Sequence, residues 1–324
     1  MKSILITGAS GFIGSFIVEE ALQRGMEVWA AVRETSSRRY LTDERIHFIT
    51  LDFSSKEVLK EAMNGHRWNY IVHAAGATKC LKKENFYRVN TDGTRHFADA
   101  VMELGIEPER MVFMSSLSAY GAIRESYPYC DIREDDMPVP NTTYGDSKMK
   151  AEQYLDTYAQ RLHLITLRPT GVYGPREKDY LMMADSIRHH IDFAVGFRPQ
   201  EITFVYVRDL VLAVFLALEK GQDGRKYFIS DDKVYRSQDF SRLIRKRLGD
   251  PFVLRITAPV WVLWMVCIIS GFIGKITGRM SALNKDKFNI LRQRNWRCDI
   301  TPAKEELGYT PQYDLERGVN EWLG

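Results

Sequence analysis

A glycine turn near the start of the chain constrains its fold more than any other feature. Ile4-Leu5-Ile6-Thr7 runs directly into Gly8-Ala9-Ser10-Gly11-Phe12-Ile13-Gly14. Ser3–Thr7 reads as a buried strand, and residues 12–24 read as a helix ended by Gly25. Gly8 permits a tight turn after the strand. Gly11 lets backbone N–H groups approach a pyrophosphate, and Gly14 lets the helix pack closely on the sheet. The helix N-terminus then turns its partial positive charge toward the anion. Ser10, Phe12 and Ile13 complete the loop. The spacing is GxxGxxG rather than the commoner GxGxxG. Its place between a strand and a helix separates it from an ordinary glycine turn.

The same alternation continues along the chain. Strands at 27–33, 46–51, 70–74, 110–115 and 164–167 interleave with helices at 56–63, 91–104 and 147–161. This predicts the α/β class, a Rossmann-type doubly wound parallel sheet covered on both faces. After Arg168 the rhythm breaks. Residues 171–200 read as irregular or helical, 204–207 and 210–220 restore a strand and a helix, and 226–229 form a last strand. Beyond Lys233 the chain reads as mostly helical. The expected division is a nucleotide-binding domain of 1–170 plus 206–232, with a smaller, mostly helical substrate lobe of 171–205 plus 233–324.

Composition narrows the partners. Lysine and arginine exceed acidic residues by only three charges in 324 residues, and no basic tract carries interleaved aromatics, so no nucleic-acid partner is expected. Cys80, Cys130, Cys267 and Cys298 lack metal-type spacing, so free thiols and no metal are expected. The opening strand leaves no room for a signal peptide, and a cytoplasmic location is expected. Residues 256–274 carry no charge and crowd Trp261, Leu263, Trp264, Met265, Val266, Ile268 and Ile269 together. A membrane span needs about 20 apolar residues, and Pro259, Ser270, Gly271 and Gly274 interrupt this run. A buried helix lining an apolar substrate pocket is the preferred reading, and membrane contact is the other.

The end of the second strand bears on cofactor choice. An acidic residue there usually holds the ribose 2′-hydroxyl of NAD. Here Val32-Arg33 is followed by Ser36, Ser37, Arg38 and Arg39. Guanidinium forks and hydroxyls suit a 2′-phosphate, which favours NADP. Glu34 keeps NAD as the alternative.

Tyr144 and Lys148 stand four residues apart in Tyr144-Gly145-Asp146-Ser147-Lys148, one helical turn on one face. An ammonium beside a phenol is expected to lower its pKa, so that it exchanges a proton near neutral pH. Upstream, the strand-like Met111-Val112-Phe113-Met114-Ser115 leads to Ser116, placed where parallel sheets bind ligands. Its hydroxyl is positioned to bond a reacting oxygen, or to cap a turn.

With these pieces the sequence resembles the extended short-chain dehydrogenase/reductase superfamily, the NAD-dependent epimerase/dehydratase family, over nearly its whole length. The matching elements fall in order: TGASGFIG, Asp52-Phe53, His73-Ala74-Ala75-Gly76, Asn90 with Gly93-Thr94, SSLSAYG, YGDSK, RPTGVYGP and Val207-Arg208-Asp209. The resemblance implies Tyr144 as general acid/base, Lys148 on the nicotinamide ribose and Ser116 orienting the substrate oxygen. It implies cofactor contacts from Gly8, Ser10, Gly11, Phe12, Ile13, Gly14, Arg33, Ser37, Arg38, Asp52 and Phe53. Ala74, Ala75, Gly76, Thr78, Asn90, Tyr144, Lys148, Pro169 and Val172 complete that set.

Within the family, dehydratases typically carry Thr-Asp-Glu where this chain has Ser116-Leu117-Ser118, which disfavours water elimination. Val32-Arg33 and the tail around Trp296-Arg297-Cys298-Asp299 look like the dihydroflavonol reductase and hydroxysteroid dehydrogenase branches. An NADP-dependent reductase or dehydrogenase of a small, apolar substrate is therefore expected. A sugar-nucleotide epimerase with retained NAD is the alternative, and a catalytically silent nucleotide sensor is a third. Relatives often dimerise through the helices at 91–104 and 147–161, which implies a homodimer.

Overall fold

The computed structural model describes residues 1–277 and 284–324, the side chains of 273–277 excepted. Its first half runs β1 (Ser3–Thr7), α1 (Phe12–Gln23), β2 (Glu27–Val32), β3 (His47–Thr50), α2 (Lys56–Met63), β4 (Tyr70–His73) and the short α3 (Lys83–Phe86). A wide helical turn, Tyr87–Asp92, leads into α4 (Gly93–Glu103), followed by β5 (Arg110–Met114), α5 (Thr143–Asp156) and β6 (Leu164–Pro169).

Then come β7 (Gly171–Tyr173), α6 (Asp179–Arg188), β8 (Ile191–Val195), β9 (Glu201–Ile202), β10 (Phe204–Tyr206), α7 (Val207–Lys220) and β11 (Lys226–Ile229). The tail holds β12 (Tyr235–Arg236), α8 (Ser237–Arg247), β13 (Leu254–Ala258), α9 (Val260–Thr277), α10 (Lys285–Arg292), β14 (Asn295–Trp296), α11 (Thr301–Leu307) and α12 (Leu315–Trp322).

Seven strands form one parallel sheet in the order β11-β6-β5-β4-β1-β2-β3. The order reverses between β1 and β4, which opens the ligand crevice of a doubly wound sheet at their C-terminal ends. Alternation along each strand divides the core between the two faces. Ile4, Ile6, Val72, Val112 and Ile165 pack with α1 and α7. Leu5, Ile71, Met111, Phe113 and Leu164 pack with α2, α4 and α5. A third core, around Tyr173, Phe204, Tyr206 and Phe240, holds the second lobe together.

Several expected boundaries shift. The helix expected from Ser147 begins at Thr143, because the Thr142 hydroxyl accepts from Gly145 N at 2.9 Å and caps it. The strand expected at 204–207 does not join the main sheet; β10 pairs with β7 instead. Residues 171–200, expected without strands, contain β7 and β8. Leu254–Ala258 is also a strand, pairing in parallel with β8. These short strands pair only within small sheets of the second lobe, so no regular alternation announces them.

The apolar run at 256–274 departs most from expectation. Its larger part is helix α9, and among its described side chains only Leu263 and Cys267 are buried. Trp261, Trp264, Met265, Ile268, Ile269 and Phe272 face solvent. The expected buried helix is thus an exposed one, because no other element covers its outer side among the described residues. Among those residues no helix is long and apolar enough to cross a membrane.

Candidate functional site

The glycine loop is held by contacts that leave no space for side chains. Gly8 has φ +70°, and a Cβ there would lie 2.7 Å from the Ala74 carbonyl oxygen. A Cβ on Gly14 would lie 2.1 Å from the Gly8 carbonyl oxygen. Gly11 N donates to Gly8 O at 2.9 Å and Ser15 N to Gly11 O at 3.0 Å, closing the loop onto α1. The tight turn therefore sits against the end of β4, at the switch point. Ser10, Phe12 and Ile13 are partly exposed there, and Gly11 is exposed.

On the far side of β1, Arg33, Ser37 and Arg38 are exposed in the loop after β2. The Arg38 guanidinium stacks 4.2 Å from the Phe48 ring centre, and Ser36 Oγ accepts from Arg33 N at 3.0 Å. Asp52 is exposed after β3 and accepts from Ser54 N. Phe53 packs against His73 and Phe97.

After β4 the chain passes through Ala74, Ala75, Gly76 and Thr78. Thr7 Oγ1 accepts from Ala75 N at 3.1 Å and bonds His73 Nδ1 at 2.8 Å, while His73 Nε2 meets Thr94 Oγ1 at 3.0 Å. Burial drives the His73 pKa down to about 3, so its ring is neutral. Asn90 is fully buried. Its Oδ1 accepts from Ala77 N at 2.7 Å, and its Nδ2 donates to Ala77 O and Ser147 Oγ. This one side chain ties the loop after β4 to α5.

The proton-transfer candidates converge on the end of β5. Tyr144 lies in the first turn of α5, with the Ser116 hydroxyl near its phenol. Ser116 also caps the following 3-10 turn, its Oγ accepting from Ser118 N at 3.1 Å. Of the two expected roles, the turn cap is therefore formed. Close approach of α5 to that turn depends on Gly145, whose Cβ would lie 2.1 Å from Ser118 O.

Lys148 is buried one turn on. Its ammonium donates to the Met114 carbonyl at 2.6 Å, lies 4.6 Å from the Phe113 ring centre, and borders Gly76, whose Cβ would meet Nζ at 3.4 Å. Burial lowers its pKa to about 8, opposed by the Glu152 carboxylate. Burial raises the Tyr144 phenol to about 12, opposed by the nearby Ser116 hydroxyl. The expectation that the ammonium would lower the phenol's pKa is therefore corrected. Desolvation dominates, and Nζ bonds the β5 backbone.

Pro169 is buried at the end of β6, and Val172 on β7 packs against the first core. Among the described residues, no group of three or more His, Cys, Asp or Glu side chains could hold a metal.

These observations decide the class: a doubly wound parallel sheet, a glycine turn pressed against β4, and a Ser–Tyr–Lys group at the end of β5. Residues 4–230 match the NAD dependent epimerase/dehydratase family. The chain belongs to that family. It is an NAD(P)-dependent enzyme of the extended short-chain dehydrogenase/reductase type.

Family relatives include the decarboxylating sterol-4-alpha-carboxylate 3-dehydrogenase of Candida albicans, 24% identical over 352 residues, covering 100% of this chain and 98% of that protein. The UDP-glucose 4-epimerase of Vibrio cholerae is 24% identical over 332 residues, covering 99% and 94%. The UDP-glucose 4-epimerase structure from Thermotoga maritima superposes with a TM-score of 0.78 at 22% identity, covering 99% and 97%, and shows the shared fold.

Other residues of this family member were not foreseen. Arg176, after β7, donates to Ser15 Oγ at 2.8 Å, pairs with Glu19, and stacks on Phe16 and Tyr40. It thereby clamps the second lobe onto α1. Asp286 on α10 accepts from Thr143 N at 3.0 Å and so fixes the start of α5 from the other side. Neither residue has a local pattern. Both act across more than 100 residues of sequence.

Proposed function

We propose that this enzyme transfers hydride between NADP and the carbonyl or secondary alcohol of a small, apolar substrate, with Tyr144 as acid/base. The convergence of Ser116 and Tyr144 at the end of β5, with Lys148 beside Gly76, carries this reading. When bound, the nicotinamide supplies or accepts the hydride. The cramped Gly8–Ala74 and Gly14–Gly8 approaches suit a dinucleotide, since they leave the loop's outer side to backbone N–H groups and the α1 N-terminus.

Gly8, Ser10, Gly11, Phe12, Ile13 and Gly14 would hold the pyrophosphate. Asp52 and Phe53 would take the adenosine end, while Arg33, Ser37 and Arg38 would meet a 2′-phosphate. Ala74, Ala75, Gly76, Thr78, Asn90, Pro169 and Val172 would flank the remainder. Ser116 aligns the reacting oxygen with the phenol. Held protonated by burial, the phenol is in the form that donates to an oxygen gaining negative charge in reduction, and oxidation calls for its phenolate as the base. Lys148 holds positive charge near both and binds the nicotinamide ribose.

Likeness to a sterol dehydrogenase supports an apolar substrate. Likeness over similar length to a sugar epimerase supports the second reading, an epimerase with retained NAD. A cytoplasmic homodimer through α4 and α5 is part of the proposal.

A carbonyl panel with NADPH and NADH, monitored by cofactor absorbance, tests it. Wild type is expected to oxidise NADPH with at least one apolar ketone, and Tyr144→Phe to lose about 10²–10⁴-fold in kcat. Full turnover by Tyr144→Phe defeats the assignment of Tyr144. Release of bound NAD on denaturation favours the epimerase.

A further inference from the structure

The second lobe carries an apolar surface larger than scattered exposed side chains would explain. The β8–β13 ribbon pairs Ile191 with Leu254, Phe193 with Ile256 and Val195 with Ala258. Paired residues of a parallel ladder share a face, so one face of the ribbon is wholly apolar. Phe193 is 65% exposed and Leu254 56%. The alternate residues, Asp192 and Arg255, form an ion pair at 3.2 Å. Phe197 and Phe252, at the ribbon's ends, are about four-fifths exposed.

Helix α9 follows at once. Val260, at its start, lies against Gly196 at the end of β8, where a Cβ would meet Val260 Cγ2 at 3.3 Å. Leu263 and Cys267, one turn apart, face inward. Trp261, Met265, Ile268 and Phe272 recur at helical spacing on the opposite side, and all are exposed.

Charge distinguishes the occupants of such a face. Residues 253–287 contain five basic side chains, of which Arg255 is paired with Asp192 and Lys287 lies 3.8 Å from Asp179, and one acidic, Asp286. The Asp286 carboxylate is taken up by Thr143. Lys285, Arg292 and Arg198 are exposed around the apolar surface. A second copy docking about a two-fold axis would bring this basic rim against itself. An anionic lipid surface complements it, and tryptophans favour the lipid–water boundary.

We propose that α9 and the apolar face of the β8–β13 ribbon dock in the plane of an anionic lipid bilayer, lying on it rather than spanning it. A cavity of about 640 Å³ opens beside this surface, its lining mixing Phe197 and Val260 with Glu125, Arg292, Gln293 and Arg294.

Flotation of the full chain with phosphatidylcholine vesicles, with and without about one quarter phosphatidylglycerol, tests the docking without any assay of turnover. Wild type is expected to float with the anionic vesicles about tenfold more than with neutral ones. The Trp264→Glu/Ile268→Glu variant is expected to lose that binding about tenfold or more, with unchanged circular dichroism and cofactor binding. Lys285→Glu/Arg292→Glu provides a second variant, whose flotation is expected to fall while the apolar face stays intact. Three results overturn the proposal: no flotation of wild type, equal flotation of Trp264→Glu/Ile268→Glu, or a wild-type dimer that this variant converts to monomer. Carbonyl reduction that persists in a protein that does not float would leave the catalytic reading standing and remove the docking alone.

Discussion

Arg168 at the end of β6 and Glu152 on α5 form an ion pair sealed within the protein, with Nη2 2.6 Å from Oε2 and both side chains 5% exposed or less. Arg168 Nε also donates to both carboxylate oxygens, Ser115 donates to Oε1, and Arg168 Nη1 donates to Tyr120 Oη. With its hydrogen bonds so nearly satisfied, the pair tolerates burial, but either member alone does not. Glu152→Ala is expected to destabilise by about 3–5 kcal/mol, and the Glu152→Met/Arg168→Met double variant to recover most of that. Urea unfolding measures both. A double variant no more stable than the single would show that the pair is more than compensated charge.

Ser116 caps a turn and lies beside the Tyr144 phenol. Ser116→Ala is expected to lower kcat about 10²–10³-fold, the usual result of removing one donor to a developing oxyanion. KM for the dinucleotide should not change, since Ser116 is not among the proposed cofactor contacts. A rise in that KM with unchanged kcat would place Ser116 on the cofactor instead.

Arg33 and Arg38 are exposed beyond the end of β2, where a 2′-phosphate would be recognised. Arg33→Ala/Arg38→Ala is expected to raise KM for NADPH about tenfold or more while leaving NADH nearly unaffected. Initial rates with the two cofactors measure the ratio. Equal effects on both would assign these arginines to a solvated loop.

Glu134 has a buried oxygen, Oε1, with no hydrogen-bond partner among the described residues, and Arg225 lies 3.8 Å from its carboxylate. Burial raises its pKa from 4.5 to about 7 despite that arginine. A raised carboxyl binds its proton more tightly in the folded state. Its contribution is therefore complete below about pH 4.5 and is lost as pH rises to 7. Glu134→Gln should leave Tm unchanged near pH 4.5 and raise it by about 2–4 °C at pH 8. Thermal melts across that range decide it, and parallel curves would refute the buried-proton account.

The local physics of β1, the glycine turn and α1 was legible because each step is short-range: a strand, a turn that excludes Cβ atoms, and a helix N-terminus. Tyr144 and Lys148 were equally legible, since helical spacing alone puts them on one face. Their protonation was not. The Lys148 ammonium meets Met114 O across 34 residues, and burial sets the pKa of both groups.

The chain's own order of residues determined its family, the parallel sheet and the members of the Ser–Tyr–Lys group, because periodicity and motif spacing act between near neighbours. Only the tertiary structure decided which surfaces meet water. The run at 256–274 reads the same whether covered or bare, and hydrophobicity along a chain carries no record of what packs against it. Folding left α9 and the ribbon face uncovered, just as it brought Arg176 onto α1 and Asp286 onto α5. Those relationships depend on distances in space that no local pattern encodes.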